Sequence, residues 1–295
     1  MAPLRSRAAA SLLHLLPRGR ITRALGHLTE ARVPLPLLRP ALALYSRAYR
    51  VALDEAVVPV GGFRSFNEFF TRQLRAGIHA IDTDPTTVVS PADGRLDDAG
   101  PIAADQRFTV KGQTYDAAAL LDDADAARAY EGGHYFIVYL SPRDYHRVHS
   151  PVAGRVREVR HVPGDLFPVN EMGVRTVPGL FARNERVVVH VETALGPAAV
   201  VFVGAFVVGK ITLTIDAPPR PALGGRAAVR AFAGDARPTL DKGEELGAFQ
   251  LGSTVVVLLG PAARGRWASV RDSEATPVRV GDGVARAVLD SEGAD

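Results

Sequence analysis

The sequence predicts an α+β protein: a β-rich, sandwich-like core preceded by a helical N-terminal arm. Three observations carry this. Short β-branched runs recur between glycine- and proline-marked turns, which is the pattern of a sheet core. The first 60 residues instead carry leucines and arginines cut by prolines. The 295 residues are 47% hydrophobic and 23% charged, an ordinary globular balance with ample apolar material. The expected division is an arm over residues 1–60 and a β-rich domain over residues 61–295. There are no cysteines, so disulfides, zinc–thiolate sites, iron–sulfur clusters and a cysteine nucleophile are excluded.

The arm is basic. Up to Arg50 it carries nine arginines against one acid, Glu30, at an overall net charge of only +3. Leucines lie between them, and Pro17, Pro34, Pro36 and Pro40 divide the segment into short helices. No apolar run reaches the roughly 18 residues that span a bilayer. No small-residue cleavage site follows the first leucine cluster, so no secretory signal is expected. Three readings remain: an interfacial anchor on anionic lipid, leucines packed on the core with solvated arginines, and an arginine-rich transit peptide. Nucleic-acid binding is not expected, because no recognition motif accompanies the charge.

Along the rest of the chain, Ser65-Phe66-Asn67-Glu68 has capping-box spacing and predicts a short helix to Leu74. Residues 88–96 read as strand, Asp93-Gly94 turn, strand, so Asp93 can be a turn residue. Residues 116–129 read as one alanine-rich helix capped by Asp116. His134 opens a buried strand to Leu140, which delivers the chain into Ser141-Pro142-Arg143-Asp144-Tyr145-His146-Arg147-Val148-His149. His146 and His149 lie three apart on an apparent helical turn, either a polar turn or an acid–base site. No His-Glu-x-x-His pattern exists, so no metal is expected. Residues 186–191 and 198–208 read as strands. Turns at Ser90-Pro91, Ser150-Pro151 and Gly281-Asp282-Gly283 share a form found in lipoyl-type sandwiches, but no carrier lysine sits at a hairpin tip. Near the end, Leu251-Gly252-Ser253-Thr254 enters an apolar run over 255–259 that predicts a buried strand. Ser253 is either a turn hydroxyl or a nucleophile that needs a base and an orienting acid from elsewhere.

The ordered set Phe66-Asn67-Glu68-Phe69-Phe70, Pro91-Ala92-Asp93-Gly94, Tyr139 through His149, Pro163-Gly164-Asp165-Leu166-Phe167, Leu180-Phe181-Ala182-Arg183-Asn184-Glu185-Arg186, Val203-Gly204-Ala205 and Leu251-Gly252-Ser253-Thr254 resembles the phosphatidylserine decarboxylase family in its self-processing proenzyme form. The resemblance implies a catalytic set of Asp93, His149 and Ser253, with His146 engaging the substrate. It implies cleavage between Gly252 and Ser253 into a β chain, 1–252, and an α chain, 253–295. Ser253 would become a pyruvoyl group, the cofactor of a carboxy-lyase that turns phosphatidylserine into phosphatidylethanolamine without metal. A lipid substrate gives the arm a purpose and implies a peripheral protein on the cytoplasmic face of a bacterial inner membrane. A homodimer is what the family suggests. Pro168 departs from members that carry a small polar residue there. Three rivals stand beside this reading: a non-catalytic β-sandwich binding module, a serine hydrolase, and a pyruvoyl decarboxylase of a soluble amino acid. The hydrolase lacks a Gly-x-Ser-x-Gly elbow.

Overall fold

The computed structural model describes residues 29–205, 210–250, 253–263, 265–271 and 275–288. The first part of the arm, the end of the predicted 198–208 strand, and Leu251-Gly252 lie outside them.

The mixed α+β architecture is present. Its centre is a nine-stranded sheet ordered Ala228–Ala231, Gly154–Val162, Arg186–Thr193, Gly196–Val203, Ser253–Leu259, His134–Leu140, Gly94–Pro101, Thr276–Val278, with Thr239–Leu240 added beside Gly154–Val162. All of its pairings are antiparallel. Ser253–Leu259 is a middle strand, paired on one side with Gly196–Val203 and on the other with His134–Leu140. Every one of its residues is buried. Burial on both faces explains why residues 255–259 read as a continuous apolar run rather than an alternation. Each fully buried Val or Leu contributes about 1.5–3 kcal/mol. Those five side chains keep the strand seated whether or not the chain is continuous before it.

A second, three-stranded sheet orders Ile211–Leu213, Glu245–Phe249 and Arg147–His149. A third joins Thr87–Val89, Gly283–Val288 and Arg266–Ser269, and Arg107–Val110 pairs with Gln113–Asp116.

Four local expectations change. The Ser65 cap is present, its hydroxyl accepting from Glu68 N at 3.0 Å, but the helix is Phe66–Phe70 and Leu74 instead bridges to Ala56. Asp93-Gly94 is not a hairpin turn. The strand before it, Thr87–Val89, pairs with Gly283–Val288, whereas Gly94–Pro101 pairs with His134–Leu140. Gly94 is required there by crowding, since a Cβ would collide with the Tyr139 carbonyl oxygen. Asp116 does cap a helix, accepting from Ala119 N at 3.0 Å. That helix stops at Leu121, where Asp122 turns left-handed at φ 54°, and Asp123 caps a second one, Ala124–Ala127. Finally, Arg147–His149 is a strand, not a helical turn.

Within the arm, Leu35–Tyr49 forms one helix through Pro36 and Pro40. Pro36 costs nothing, because the first turn has no amide partners to lose, and Pro40 gives up one bond. Leu38 and Leu42 pack with Phe63, Phe69 and Phe70 in a cluster of their own, which straddles residue 60. Leu37 and Leu44 on the same helix stay exposed, at 67% and 70%.

Candidate active site

Ser253 opens the middle strand opposite Leu140. Its side chain has no exposure, and its Oγ has no hydrogen-bond partner among the described residues. The next residue, Thr254, is in the same state at its Oγ1. A buried hydroxyl without a partner loses about 1–3 kcal/mol relative to a satisfied one. Two in succession at a strand head mark a place where stability yields to something else.

The pairing of the sheets brings the histidine segment to this strand. Leu140 faces Ser253, the Phe249 amide donates to the His146 carbonyl at 2.9 Å, and His149 faces Glu245. Residues 140–149 therefore run antiparallel past residues 245–249 and the strand that Ser253 opens. Because Arg147–His149 is extended, the odd spacing of His146 and His149 turns them to different sides. His146 points inward. It is fully buried, its ring centroid is 3.9 Å from that of Phe70, and Nδ1–H donates to the Asp144 carbonyl at 2.9 Å. That fixes the tautomer and leaves Nε2 as a lone-pair acceptor with no partner among the described residues. Burial pushes its pKa down to about 3, so His146 is a neutral hydrogen-bonding group rather than a cation.

His149 lines a cleft of about 270 Å³ together with Tyr145, Glu245, His79 and Val280. Its Nδ1–H donates to the Gly243 carbonyl at 2.7 Å, and its Nε2 accepts from the Tyr145 hydroxyl at 3.0 Å. Burial lowers its pKa, against the Gly243 bond and the nearby Glu245 and Asp93 charges. Burial also raises that of Tyr145, which keeps the phenol protonated and donating.

Asp93 faces the same region, but both its oxygens are bound elsewhere. Oδ1 accepts from Val280 N at 2.9 Å, and Oδ2 lies 2.9 Å from His79 Nε2. The structure thus places Asp93 and His149 within electrostatic reach of each other without a direct bond. Sequence reasoning missed His79 and Tyr145. Tyr145 stood inside a quoted motif, whereas His79 is a lone histidine with no local signal.

Arg72 was missed as well. It is only 4% exposed, and Nη2 donates to the Arg143 and Asp144 carbonyls at 3.1 and 3.3 Å. Its Nε and Nη1 find no acceptor among the described residues. The guanidinium thus fastens the end of the Phe66–Phe70 helix to the histidine segment. Arg147 repeats the fastening, donating to the Thr71 carbonyl at 2.9 Å and to Glu245 Oε1 at 2.6 Å.

On the other flank of Ser253, one buried amide joins three of the sequence motifs. Asn184 Oδ1 accepts from Phe167 N at 2.9 Å, and Nδ2 donates to the carbonyls of Phe167 and Gly204, each at 2.8 Å. Gly164 lets this loop approach, because a Cβ there would meet the backbone of residues 183–185. Asn184→Ala removes all three bonds. It is expected to lower unfolding stability by about 2–4 kcal/mol, measured by denaturant titration in the Ser253→Ala chain. A loss under about 1 kcal/mol would show that the clamp is not what holds this flank.

A family profile described as phosphatidylserine decarboxylase matches residues 66–286. Phosphatidylserine decarboxylase proenzymes are similar over nearly the whole chain. That of Anaeromyxobacter sp. (strain K) is 44% identical over 259 residues, 88% of this chain and 91% of the relative. That of Bordetella avium (strain 197N) is 42% identical over 277 residues, 92% of each. That of Delftia acidovorans (strain DSM 14801 / SPH-1) is 42% identical over 284 residues, covering 95% and 97%.

Proposed function

The chain belongs to the phosphatidylserine decarboxylase family, and we infer from this that it is a self-cleaving proenzyme whose processed form decarboxylates phosphatidylserine. The observation that carries the reading is Ser253: a sealed hydroxyl, unpartnered among the described residues, at the head of a core strand, within Leu251-Gly252-Ser253-Thr254. An ordinary turn serine would be solvated or hydrogen-bonded.

In maturation, His149 takes the Ser253 proton as the Tyr145 hydroxyl gives up Nε2, and Asp93 supports the positive charge that develops. Oγ attacks the Gly252 carbonyl, the peptide becomes an ester, and elimination releases the 1–252 chain as a carboxylate; the dehydroalanine left at position 253 takes up water and loses ammonia. Burial of residues 255–259 then holds the α chain in place without a covalent link. The residues fit a pyruvoyl group at position 253, since its precursor hydroxyl is already confined there. Once formed, that group supplies an electron sink for loss of carbon dioxide. The protein's own residues do the rest. His149 is the group placed to return a proton. His146 Nε2 offers a neutral hydrogen-bond acceptor to the substrate. Arg72, with two nitrogens lacking acceptors among the described residues, supplies positive charge for its phosphodiester or carboxylate.

The purified protein is expected to release carbon dioxide from phosphatidylserine vesicles, and the Ser253→Ala chain to release none. Equal release by both, or turnover of a simple ester by the uncleaved chain, would return the serine-hydrolase reading. Esterase activity is disfavoured by the sequence around Ser253, which is not a Gly-x-Ser-x-Gly elbow.

We place the protein at a membrane surface through its arm. Leu37 and Leu44 are exposed beside Arg39 and Arg47 on the helix Leu35–Tyr49, and exposed Val60 adjoins through the Arg39 bond to the Gly61 carbonyl, at 3.0 Å. No described helix is long and apolar enough to cross a membrane. Each arginine at an anionic surface contributes about 1 kcal/mol, so a few suffice. Deleting residues 1–30 is expected to weaken sedimentation with anionic liposomes and leave self-cleavage intact. Unchanged sedimentation would remove the anchor role from that segment. The cytoplasmic face and a homodimer belong to the same reading.

A further inference from the structure

The cleft that holds His149 contains a second histidine with its own carboxylate. His79 is part-buried, its side chain only 5% exposed, and Nε2 lies 2.9 Å from Asp93 Oδ2. Glu55 converges on the same point: the polar side-chain atoms of Glu55, His79 and Asp93 lie within 4.8 Å of one another. Behind Glu55 stands Arg279, whose Nη2 is 3.2 Å from Oε1. Four segments of the chain thus bring together Glu55, His79, Asp93 and Arg279. The signs alternate if the imidazole is charged. The Asp93 carboxylate favours the imidazolium, because its hydrogen bond outweighs burial, with Arg279 opposing. The other charged and titratable groups facing His79 are Arg75 on its own segment and, across the cleft, Tyr145, His149 and Glu245.

We propose that His79 is the positioning residue of Asp93 during self-cleavage, an imidazolium that fixes the direction of the carboxylate beside His149. This rests on the function proposed above. Among the described residues Asp93 has two fixed contacts, the Val280 amide on Oδ1 and His79 on Oδ2. The amide alone leaves the carboxylate free to swing about one bond. With His79 in place, both oxygens are held and the charge stays aimed at the cleft. The direction of titration agrees: the hydrogen bond to Asp93 is the largest influence on His79 and raises its pKa, against burial. A raised histidine pKa means that the pair's contribution is complete below the unfolded value of about 6.5. It is lost as pH rises through the higher folded value. His79 therefore sets an alkaline limit on maturation, while deprotonation of His149 sets the acid one.

The test follows maturation of newly made full-length chain from cell-free synthesis, by intact mass, over a range of pH. Wild type is compared with His79→Gln and His79→Arg. The glutamine variant is expected to cleave at least about tenfold more slowly at neutral pH and to lose the alkaline fall. The arginine variant keeps a permanent charge against Asp93 and is expected to cleave near the wild-type rate, with the fall moved to higher pH. A glutamine variant with wild-type rate and profile overturns the proposal. If that variant does not fold, an arginine variant whose profile matches wild type overturns it equally. Slowing of wild type by a chelator would put a bound cation where we place the proton, and overturns it too. A parallel measurement does not depend on the enzyme reading: the melting temperature of the Ser253→Ala chain against pH. It should fall on the alkaline side, and adding His79→Gln should abolish that fall; no difference between the two chains overturns the proposal. A wild-type chain that never cleaves defeats the functional reading, and the melting curves then decide His79.

Discussion

The Ser253→Ala chain is expected to remain one polypeptide of 295 residues, whereas wild type separates into two chains split after Gly252. The effect is all or none, because no other hydroxyl can replace this one. Thr254 is its neighbour and is equally sealed, but strand alternation sends its side chain to the opposite face. Intact mass of the purified protein reads the result. The smaller wild-type chain should begin at position 253 and be lighter by one ammonia than a peptide that starts with serine. That mass identifies the pyruvoyl end directly and separates it from a simple nick. The two chains should also co-purify, because residues 255–259 lie between two partner strands and each contributes core burial. A wild-type chain that stays whole when folded and lipid-bound would bring the binding-module reading forward. A wild-type split with an unmodified serine would leave the cleavage reading and remove the cofactor.

The strand that carries Ser253 was legible because its signal is local: β-branched residues on both faces of one short run. The Ser65 and Asp116 caps were legible for the same reason. What was not legible depends on partners far along the chain. Asp93-Gly94 has turn chemistry, and only the pairing of its flanking strands with different sheets shows that the chain crosses from one sheet to another there. The spacing of His146 and His149 suits a helix as well as a strand. Pairing with Glu245–Phe249 settles the extended form, and with it the inward turn of His146. His79 had no motif at all. Its role emerges from Glu55, Asp93 and Arg279, which no sequence window holds together. The resemblance names candidate site residues without their bonds. It groups Asp93 with His149, whereas the structure bonds Asp93 to His79 and His149 to Tyr145.

Replacement of His149 is expected to have the second large effect. Removing a general base costs about 10²–10⁴ in rate, so His149→Ala should still be mostly uncleaved when wild type has finished, by the same mass time course. The structure makes a finer contrast available. In the uncleaved chain the basic nitrogen of His149 is occupied by Tyr145, and Gly243 fixes which nitrogen that is. Tyr145→Phe removes the occupant and keeps the ring. If Tyr145 only waits on Nε2, its phenylalanine variant should mature at a rate within about tenfold of wild type. If Tyr145 relays the proton between Ser253 and His149, the two variants should be equally slow. A third outcome would reassign the base altogether. His146 also keeps an Nε2 that is open among the described residues, it is neutral at every pH near neutrality, and its segment lies closer in register to Ser253. A His149→Ala chain that cleaves at close to the wild-type rate, beside a His146→Ala chain that does not, would move the base to His146. His149 would then be a group of the cleft alone.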